Sequence, residues 1–257
     1  MEKKHLSATQ IGMFLRCPRQ YEFRYMQGLK QPPSGAMVQS KVWHRTVEEN
    51  YRQKIESAKD LPLPRMEEFY AAQYEEALKA EEIAFEAGTN PGRLKDQGVA
   101  ITAAHHLLIA PKVSPLLVEE RFCINLGDDF PYDLVGVWDV VDQDGFIADN
   151  KAYGRTPSQD DVDKDIQLGL YSLGYRVSQG KAEKGLRLDA VIKNKEPKPV
   201  QIRTTRTNED CRFLLGLIEQ VAKAIQSGSF YPNPNGWHCS PTRCGYWAQC
   251  TGKRSPL

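Results

Sequence analysis

Gly136-Val137-Trp138-Asp139-Val140-Val141, followed after a short turn by Ile147-Ala148-Asp149-Asn150-Lys151, decides how we interpret this sequence. Each stretch is apolar enough to be a buried β-strand, yet each carries one acidic residue, Asp139 or Asp149. A carboxylate in such a place must be paired or bound to a cation, because an isolated buried charge is too unfavourable. Two aspartates on adjacent strands of a hairpin can converge on one divalent cation. Lys151 lies two residues beyond Asp149 and therefore shares its face of the strand.

Further polar residues accompany these strands along the chain. Gln167 and Tyr171 are four residues apart in a predicted helix, so they lie on one face of it. Upstream, His44 precedes Glu48 by four residues in another predicted helix. Taken alone, His44 would be a capped or partly exposed histidine. Taken alone, Gln167 and Tyr171 would be ordinary residues of an amphipathic helix. For Asp-x-Lys alone, a buried ion pair without a cation is the more frequent arrangement.

The hydrophobic pattern predicts an α/β domain with a central mixed sheet flanked by helices. We interpret residues 1–257 as a single domain, with a helical insertion over residues 45–110 and an irregular tail over residues 230–257. A helix begins after the capping box Ser7-Ala8-Thr9-Gln10. Further helices are predicted over residues 19–25, 42–57, 66–86, 93–110, 160–179 and 208–227, and strands over residues 116–126, 132–141, 145–152, 186–193 and 199–205.

The composition indicates which broad classes of protein are compatible with this chain. Of the 257 residues, 40% are hydrophobic and 26% are charged, which is typical of a globular protein. The net charge of +1 neither indicates nor excludes nucleic-acid binding. No apolar run reaches the roughly 18–20 residues of a membrane span. No apolar stretch follows the N-terminal Met-Glu-Lys-Lys-His either. We therefore expect a cytoplasmic protein.

Common signatures of other enzymes are missing from the sequence. It contains neither the phosphate-binding loop, nor the Gly-x-Ser-x-Gly elbow, nor His-Glu-x-x-His, nor the dinucleotide-binding glycine motif. Bound ATP, serine-hydrolase chemistry and a dinucleotide site therefore lose most of their support.

The positions of the cysteines indicate a metal or cofactor. Three of the six, Cys239, Cys244 and Cys250, fall within the last nineteen residues. In a reducing cytoplasm, such a cluster more often binds a metal than forms disulfides. Cys123 and Cys211 lie in apolar contexts, and we expect both to be small buried hydrophobic residues.

In this order, the motifs resemble the RecB-type nucleases of the PD-(D/E)XK superfamily. The family pattern is His, Gly-x-x-Asp, [Asp/Glu]-x-Lys and Gln-x-x-x-Tyr, which here correspond to His44, Gly136 to Asp139, Asp149 to Lys151 and Gln167 to Tyr171. Cys17 with the three C-terminal cysteines is similar to the split four-cysteine arrangement of the iron–sulfur branch. That branch includes the CRISPR-associated RecB-like exonucleases and the AddB nuclease domain. Two departures are Ser40, where relatives often have glycine, and the wider spacing between Cys239 and Cys244.

The resemblance implies a restriction-endonuclease-like core and a role for each motif residue. His44, Asp139 and Asp149, with the backbone carbonyl of Asn150, would bind Mg²⁺ or Mn²⁺, and Glu48 is a candidate partner for the second nitrogen of His44. Lys151 would orient the attacking water or stabilise the phosphorus centre. Gln167 and Tyr171 would position Lys151 or the scissile strand.

The resemblance also implies a [4Fe–4S] cluster on Cys17, Cys239, Cys244 and Cys250, which would clasp the tail to the N-terminal helix. Zinc remains an alternative there, and His238 beside Cys239 is then a further candidate ligand. The implied activity is metal-dependent exonuclease cleavage of single-stranded or end-bearing DNA in recombination, repair or CRISPR adaptation, in a prokaryote or in a virus that acts in a prokaryotic host. The chain has no helicase motif, so unwinding would need a partner.

Two other functions remain open on the sequence, a structure-selective endonuclease of the resolvase type and a catalytically inactive DNA-binding subunit with a structural cluster. A basic segment could bind the DNA backbone, although a solvated hairpin would explain it equally well. It consists of Lys193, Lys195, Lys198, Arg203 and Arg206.

Overall fold

The computed structural model describes residues 4–86 and 88–252. Ala87 of the predicted insertion and residues 253–257 of the predicted tail lie outside the described residues. The chain divides into two compact units, and the predicted single domain stays a prediction. Unit 1 comprises Met1–Gln31, Cys123–Gly136 and Asn208–Leu257, and unit 2 comprises Pro32–Phe122 and Val137–Thr207. None of the described helices has the length and apolar character needed to cross a membrane.

The sheet is mixed, as predicted from the sequence. Its strands are β1 (Lys4–Ser7), β2 (Pro115–Asn125), β3 (Tyr132–Asp142), β4 (Phe146–Tyr153), β5 (Gly185–Ile192) and β6 (Lys198–Thr204). The order in the sheet is β1-β3-β4-β5-β6, and β2 also pairs with β3. β3 and β4 form an antiparallel hairpin, β4 and β5 run parallel, and β5 and β6 are again antiparallel.

Helices flank this sheet. In chain order the helices of the described residues are α1 (Ala8–Arg16), α2 (Pro18–Tyr21), α3 (Gly35–Ser57), α4 (Leu63–Ala80), α5 (Pro91–Leu108), α6 (Gln159–Asp163), α7 (Ile166–Gln179), α8 (Asn208–Gln226) and α9 (Trp247–Thr251). A π-helical turn, Glu22–Met26, follows α2, and a short 3₁₀ turn, Ala110–Lys112, follows α5.

Unit 2 has its core where α3, α4 and α5 cover the sheet. Trp43 and Tyr51 of α3 and Tyr70 of α4 are almost fully buried there, together with Val140 and Ala148 of the hairpin. Burial of such large side chains contributes roughly 1.5–3 kcal/mol each, which fixes α3 against the strands that carry the acidic residues.

Helix α7 also packs closely in unit 2. The indole of Trp138 donates a hydrogen bond to the backbone carbonyl of Tyr171 at 3.1 Å. A Cβ atom at Gly174 would lie 2.5 Å from the Phe122 ring, so this position has no room for a side chain. These contacts bring one face of α7 next to the β3–β4 hairpin.

Unit 1 contains the N-terminal helices, α8 and the C-terminal segment. Leu6 of β1 pairs with Leu134 in a parallel register, and both are fully buried. The Phe14 and Tyr21 rings meet edge to face at 5.6 Å, and Tyr21 stacks on Phe230. The predicted capping box is confirmed, since Ser7 and Gln10 each accept a hydrogen bond from the other's backbone N–H.

Several predicted boundaries were wrong. α3 begins at Gly35 rather than at residue 42, so the helical region starts earlier than the predicted insertion. α4 ends at Ala80, because the chain becomes extended and the Ala84 N–H pairs with the Pro33 carbonyl. The single helix predicted over residues 160–179 is two helices, because Asp165 caps the start of α7. β1 and α9 were not predicted.

Candidate active site

The β3–β4 hairpin brings Asp139 and Asp149 together. Val140 lies opposite Ala148 in the antiparallel register, and continuing that register places Asp139 opposite Asp149. The tight connection depends on Gly145, whose φ of 82° favours glycine. Asp139 is 7% exposed and Asp149 is fully buried, as the apolar strands predict.

Lys151 pairs with Asp149 from the same strand. Its Nζ atom lies 2.6 Å from Oδ2 of Asp149 and 3.8 Å from Oδ2 of Asp165. Burial alone would lower the pKa of Lys151, but the Asp149 and Asp165 carboxylates outweigh it and raise that pKa. Burial raises the pKa of Asp149; the Lys151 ammonium opposes this rise and the Asp139 carboxylate adds to it.

Gln167 and Tyr171 connect Lys151 to Asp139. The Lys151 ammonium donates to Oε1 of Gln167 at 3.0 Å, and the Gln167 amide donates to the Tyr171 hydroxyl at 2.8 Å. That hydroxyl in turn donates to Oδ1 of Asp139 at 2.9 Å. Burial and the two aspartates raise the pKa of Tyr171 well above its ordinary value, so the hydroxyl keeps its proton and remains a donor.

His44 faces the site from α3. Its Nδ1 atom lies 3.4 Å from Oδ2 of Asp139, and its side chain is 30% exposed. The neighbouring Trp43 is fully buried and fixes the helix at this point. Glu48, expected as a partner of His44, instead accepts a hydrogen bond from Arg52 at 2.7 Å.

Asn150 is held on two sides. Its backbone N–H donates to Oδ2 of Asp139 at 2.8 Å. Its side-chain oxygen lies 3.2 Å from Nε2 of His105, a buried residue of α5 that the sequence interpretation missed. Because an amide oxygen can only accept, Nε2 of His105 carries the proton. Burial lowers the pKa of His105 to about 4, so the ring is neutral near pH 7.

Glu119 of β2 was also missed. Its ligand atom, with those of His44 and Asp139, forms a group of three within 4.8 Å of one another. Glu119 and His44 line an open cleft of about 420 Å³ beside α3 and α4. The pair Glu119-Glu120 in a half-exposed strand carried no local signal of this position.

Some residues of the basic segment are exposed, and others contact groups within the protein. Lys195 and Lys198 are exposed, whereas Lys193 is partly buried and its ammonium lies 3.4 Å from Oε1 of Gln39. The Arg203 guanidinium lies over the Phe146 ring. Arg206 donates to the backbone carbonyls of Val162 and Asp165, at 3.1 and 3.2 Å, and so holds the turn between α6 and α7.

Four cysteines line one small cavity of about 20 Å³ in unit 1, and His238 lines it too. They are Cys17, Cys239, Cys244 and Cys250. Burial, with the neighbouring thiols of Cys244 and Cys17, raises the pKa of the Cys239 thiol. Burial and the Cys17 thiol do the same for Cys250. The amide of Gln20 donates to the Cys244 sulfur at 3.2 Å.

The other two cysteines differ from each other. Cys211 is buried, as expected, but Cys123 is exposed, so that prediction was wrong. The reason is the period of two in β2, where Phe122 and Ile124 are buried and Cys123 between them points to the opposite, exposed face.

The donor set in unit 2 fits a divalent cation. Oδ1 of Asp149 is fully buried and has no hydrogen-bond partner within the described part of the chain. Such an atom is unfavourable unless a cation approaches it. Carboxylate oxygens with one imidazole suit Mg²⁺ or Mn²⁺. The arrangement combines candidate metal ligands with one oriented ammonium, which suits hydrolysis of a phosphate ester.

Comparison with known proteins supports this interpretation. The family model of the PD-(D/E)XK nuclease superfamily matches residues 5–251. A candidate exonuclease from Eubacterium rectale has a similar structure, with a TM-score of 0.62 and 14% identity over 99% of this chain and 91% of that chain. The structure of SSO0001 is 15% identical over 95% of this chain and 96% of that chain, with a TM-score of 0.39. No curated protein sequence matches the chain.

The likeness to the Eubacterium rectale protein concerns the fold alone at this identity, and it agrees with the restriction-endonuclease-like core expected from the sequence. The family assignment rests on the family model, which spans nearly the whole chain. The chain belongs to the PD-(D/E)XK nuclease superfamily.

Proposed function

We propose that this nuclease is a DNA exonuclease that depends on Mg²⁺ or Mn²⁺ and hydrolyses phosphodiester bonds of single-stranded or end-bearing DNA. The observation that carries the proposal is the hydrogen-bonded connection from Lys151 through Gln167 and Tyr171 to Asp139, beside the buried Asp149. Ordinary ion pairing would need Asp149 and Lys151 only, and it would not explain why Asp139 lies beside them in the same buried site.

Each residue has a distinct part in the proposed reaction. Asp139 and Asp149, with His44 and the backbone carbonyl of Asn150, hold the cation, which when bound supplies charge stabilisation at the phosphate and lowers the pKa of a ligated water. Lys151 orients the attacking water or stabilises the negative charge that develops on the phosphate. Gln167 and Tyr171 hold Lys151 and Asp139 in fixed positions relative to each other.

The cysteine cavity belongs to the same proposal as a structural site. Thiolates select iron–sulfur clusters or zinc over Mg²⁺, and four cysteines are enough for either. The raised thiol pKa values of Cys239 and Cys250 mean that thiolates are unfavourable there without a cation. We favour a [4Fe–4S] cluster on the resemblance to the iron–sulfur branch, with zinc as the outcome that metal analysis would reveal.

The resemblance also underlies the proposed setting, which is recombination, repair or CRISPR adaptation together with a helicase or another DNA-processing partner. Lys195 and Lys198 are exposed and available to contact the DNA backbone. Arg206 already donates to two backbone carbonyls, so we propose that it supports the turn before α7.

A cleavage assay tests the activity. Linear single-stranded, linear double-stranded and circular single-stranded DNA are incubated with the protein, with and without Mn²⁺. We expect loss of the linear substrates only, and only with Mn²⁺. Asp149→Asn should abolish this loss, whereas Asp129→Asn, the same change at an exposed position, should not. Cutting of the circle would identify an endonuclease instead, and wild-type cleavage by Asp149→Asn would refute the site.

A further inference from the structure

Glu119 has an unusual backbone conformation for a strand residue. Its φ is 49°, in the left-handed region, although it lies within β2. Ala58, at the end of α3, is the other non-glycine residue with positive φ in the described part of the chain. A left-handed residue interrupts the regular alternation of a strand and redirects its side chain. Here the redirected side chain lines the same cleft as His44.

The spacing of the three side chains matches one ion. A ligand atom of Glu119, one of His44 and one of Asp139 all lie within 4.8 Å of one another. The ligands of one octahedral Mg²⁺ or Mn²⁺ ion, at about 2.0–2.3 Å from the metal, lie about 3 to 4.5 Å apart. A single ion can therefore contact all three side chains with little movement.

The carboxylates around Glu119 favour the binding of a cation. The Glu119 side chain is half-buried and lies near the carboxylates of Asp139 and Glu48. Arg52 is a neighbouring cation, but its guanidinium already donates to Glu48. Independently, the buried Oδ1 atom of Asp149 lacks a hydrogen-bond partner among the described residues. The site as a whole thus has more buried carboxylate than its own donors compensate.

We propose that Glu119 binds the divalent cation directly, as a fourth side-chain ligand beside His44, Asp139 and Asp149. The proposal rests on the metal dependence of the proposed function and adds a ligand that the family-like motifs do not contain. Because Glu119 and His44 line the open cleft while Asp149 is fully buried, Glu119 contacts the ion from the cleft side.

Mn²⁺ binding to the protein without DNA tests this assignment. Free Mn²⁺ is followed by electron paramagnetic resonance during titration of the wild type, Glu119→Gln and Glu120→Gln. Glu119→Gln should weaken Mn²⁺ binding at least about tenfold, since even indirect partners of metal ligands contribute that much. Glu120→Gln removes the same charge from an exposed neighbour and should bind Mn²⁺ like the wild type.

A melting experiment separates a ligand from a structural residue. Without metal, Glu119→Gln should melt at or above the wild-type temperature, because the change removes repulsion, and Mn²⁺ should raise its melting temperature less. A lower melting temperature without metal, combined with unchanged Mn²⁺ affinity, would overturn the proposal and leave the nuclease assignment intact. A wild type that neither binds Mn²⁺ nor cuts DNA would instead refute the proposed function, and this inference with it.

Discussion

The ammonium of Lys151 donates a 3.0 Å hydrogen bond to the side-chain oxygen of Gln167. This bond joins the β4 strand to α7, and the same glutamine donates to Tyr171, which donates to Asp139. One helix face therefore fixes both the ammonium and a carboxylate of the candidate metal site. Two elements distant in sequence hold the reacting groups in one orientation, as hydrolysis of a phosphodiester requires.

The first prediction concerns Gln167. Gln167→Leu should slow DNA cleavage about 10- to 100-fold, because Lys151 loses its hydrogen-bond partner on α7 and Tyr171 loses a donor. Mn²⁺ affinity should change little, since Gln167 is not among the proposed ligands. Gln179→Leu, at the exposed end of the same helix, serves as the control. Equal cleavage rates for the two variants would remove Gln167 from the site.

The second prediction concerns the buried pair. Lys151→Met should lower the free energy of unfolding by about 1–3 kcal/mol, because Asp149 is left buried without its counter-ion. The figure is reduced from that of a fully buried pair because the Lys151 side chain is 27% exposed. Adding Asp149→Asn should recover most of the loss in urea unfolding. A double variant no more stable than Lys151→Met would contradict this coupling.

The sequence was most informative where structure is local. The β3–β4 hairpin follows from two apolar runs around an Asp-Gly turn, and Asp142 accepts the Phe146 N–H at 3.0 Å in that turn. β1 escaped prediction because four residues with one buried side chain, Leu6, produce no detectable alternation. α4 was extended too far because the glutamates after Ala80 favour a helix, whereas pairing with the chain before α3 prevents it.

The sequence predicted the residues of the candidate site that lie in its motifs, and it missed the others. Asp139, Asp149 and Lys151 lie within one hairpin, so their proximity follows from the chain itself. Glu119 and His105 come from β2 and α5, and only tertiary packing brings them to the site. A glutamate in a half-exposed strand and a histidine in an amphipathic helix carry no local signal of such a role.

The third prediction concerns the cysteine cavity. Cys17→Ser should lower the metal content and reduce the melting temperature by at least about 5 °C, because a structural metal contributes directly to folding. Cys123→Ser changes an exposed cysteine outside the cavity and should do neither. About four iron atoms per wild-type chain would support the cluster, and about one zinc would support the alternative. A metal-free wild type purified without oxygen would rule out both.

The last prediction concerns His105 and pH. The pKa of this histidine is about 4 in the folded protein, against an ordinary value of 6.5, because burial disfavours the charged ring. As the pH falls below 6.5, the unfolded chain binds a proton that the folded protein does not bind until about pH 4. The contribution of His105 to stability is therefore complete above pH 6.5 and declines towards pH 4, by about 3 kcal/mol in total.

His105→Gln isolates this contribution from the other groups that titrate in the same range. Carboxylates with raised pKa values, such as Asp149 and Glu119, change stability in the opposite direction in the metal-free protein, so the comparison is between variants. Urea unfolding at pH 7 and pH 4.5 should show that the wild type loses about 2–3 kcal/mol more than His105→Gln between the two pH values. His5→Gln, at an exposed histidine, should follow the wild type. If His105→Gln also followed it, the pKa of His105 would be the same in the folded and unfolded chain, and the lowering by burial would be refuted.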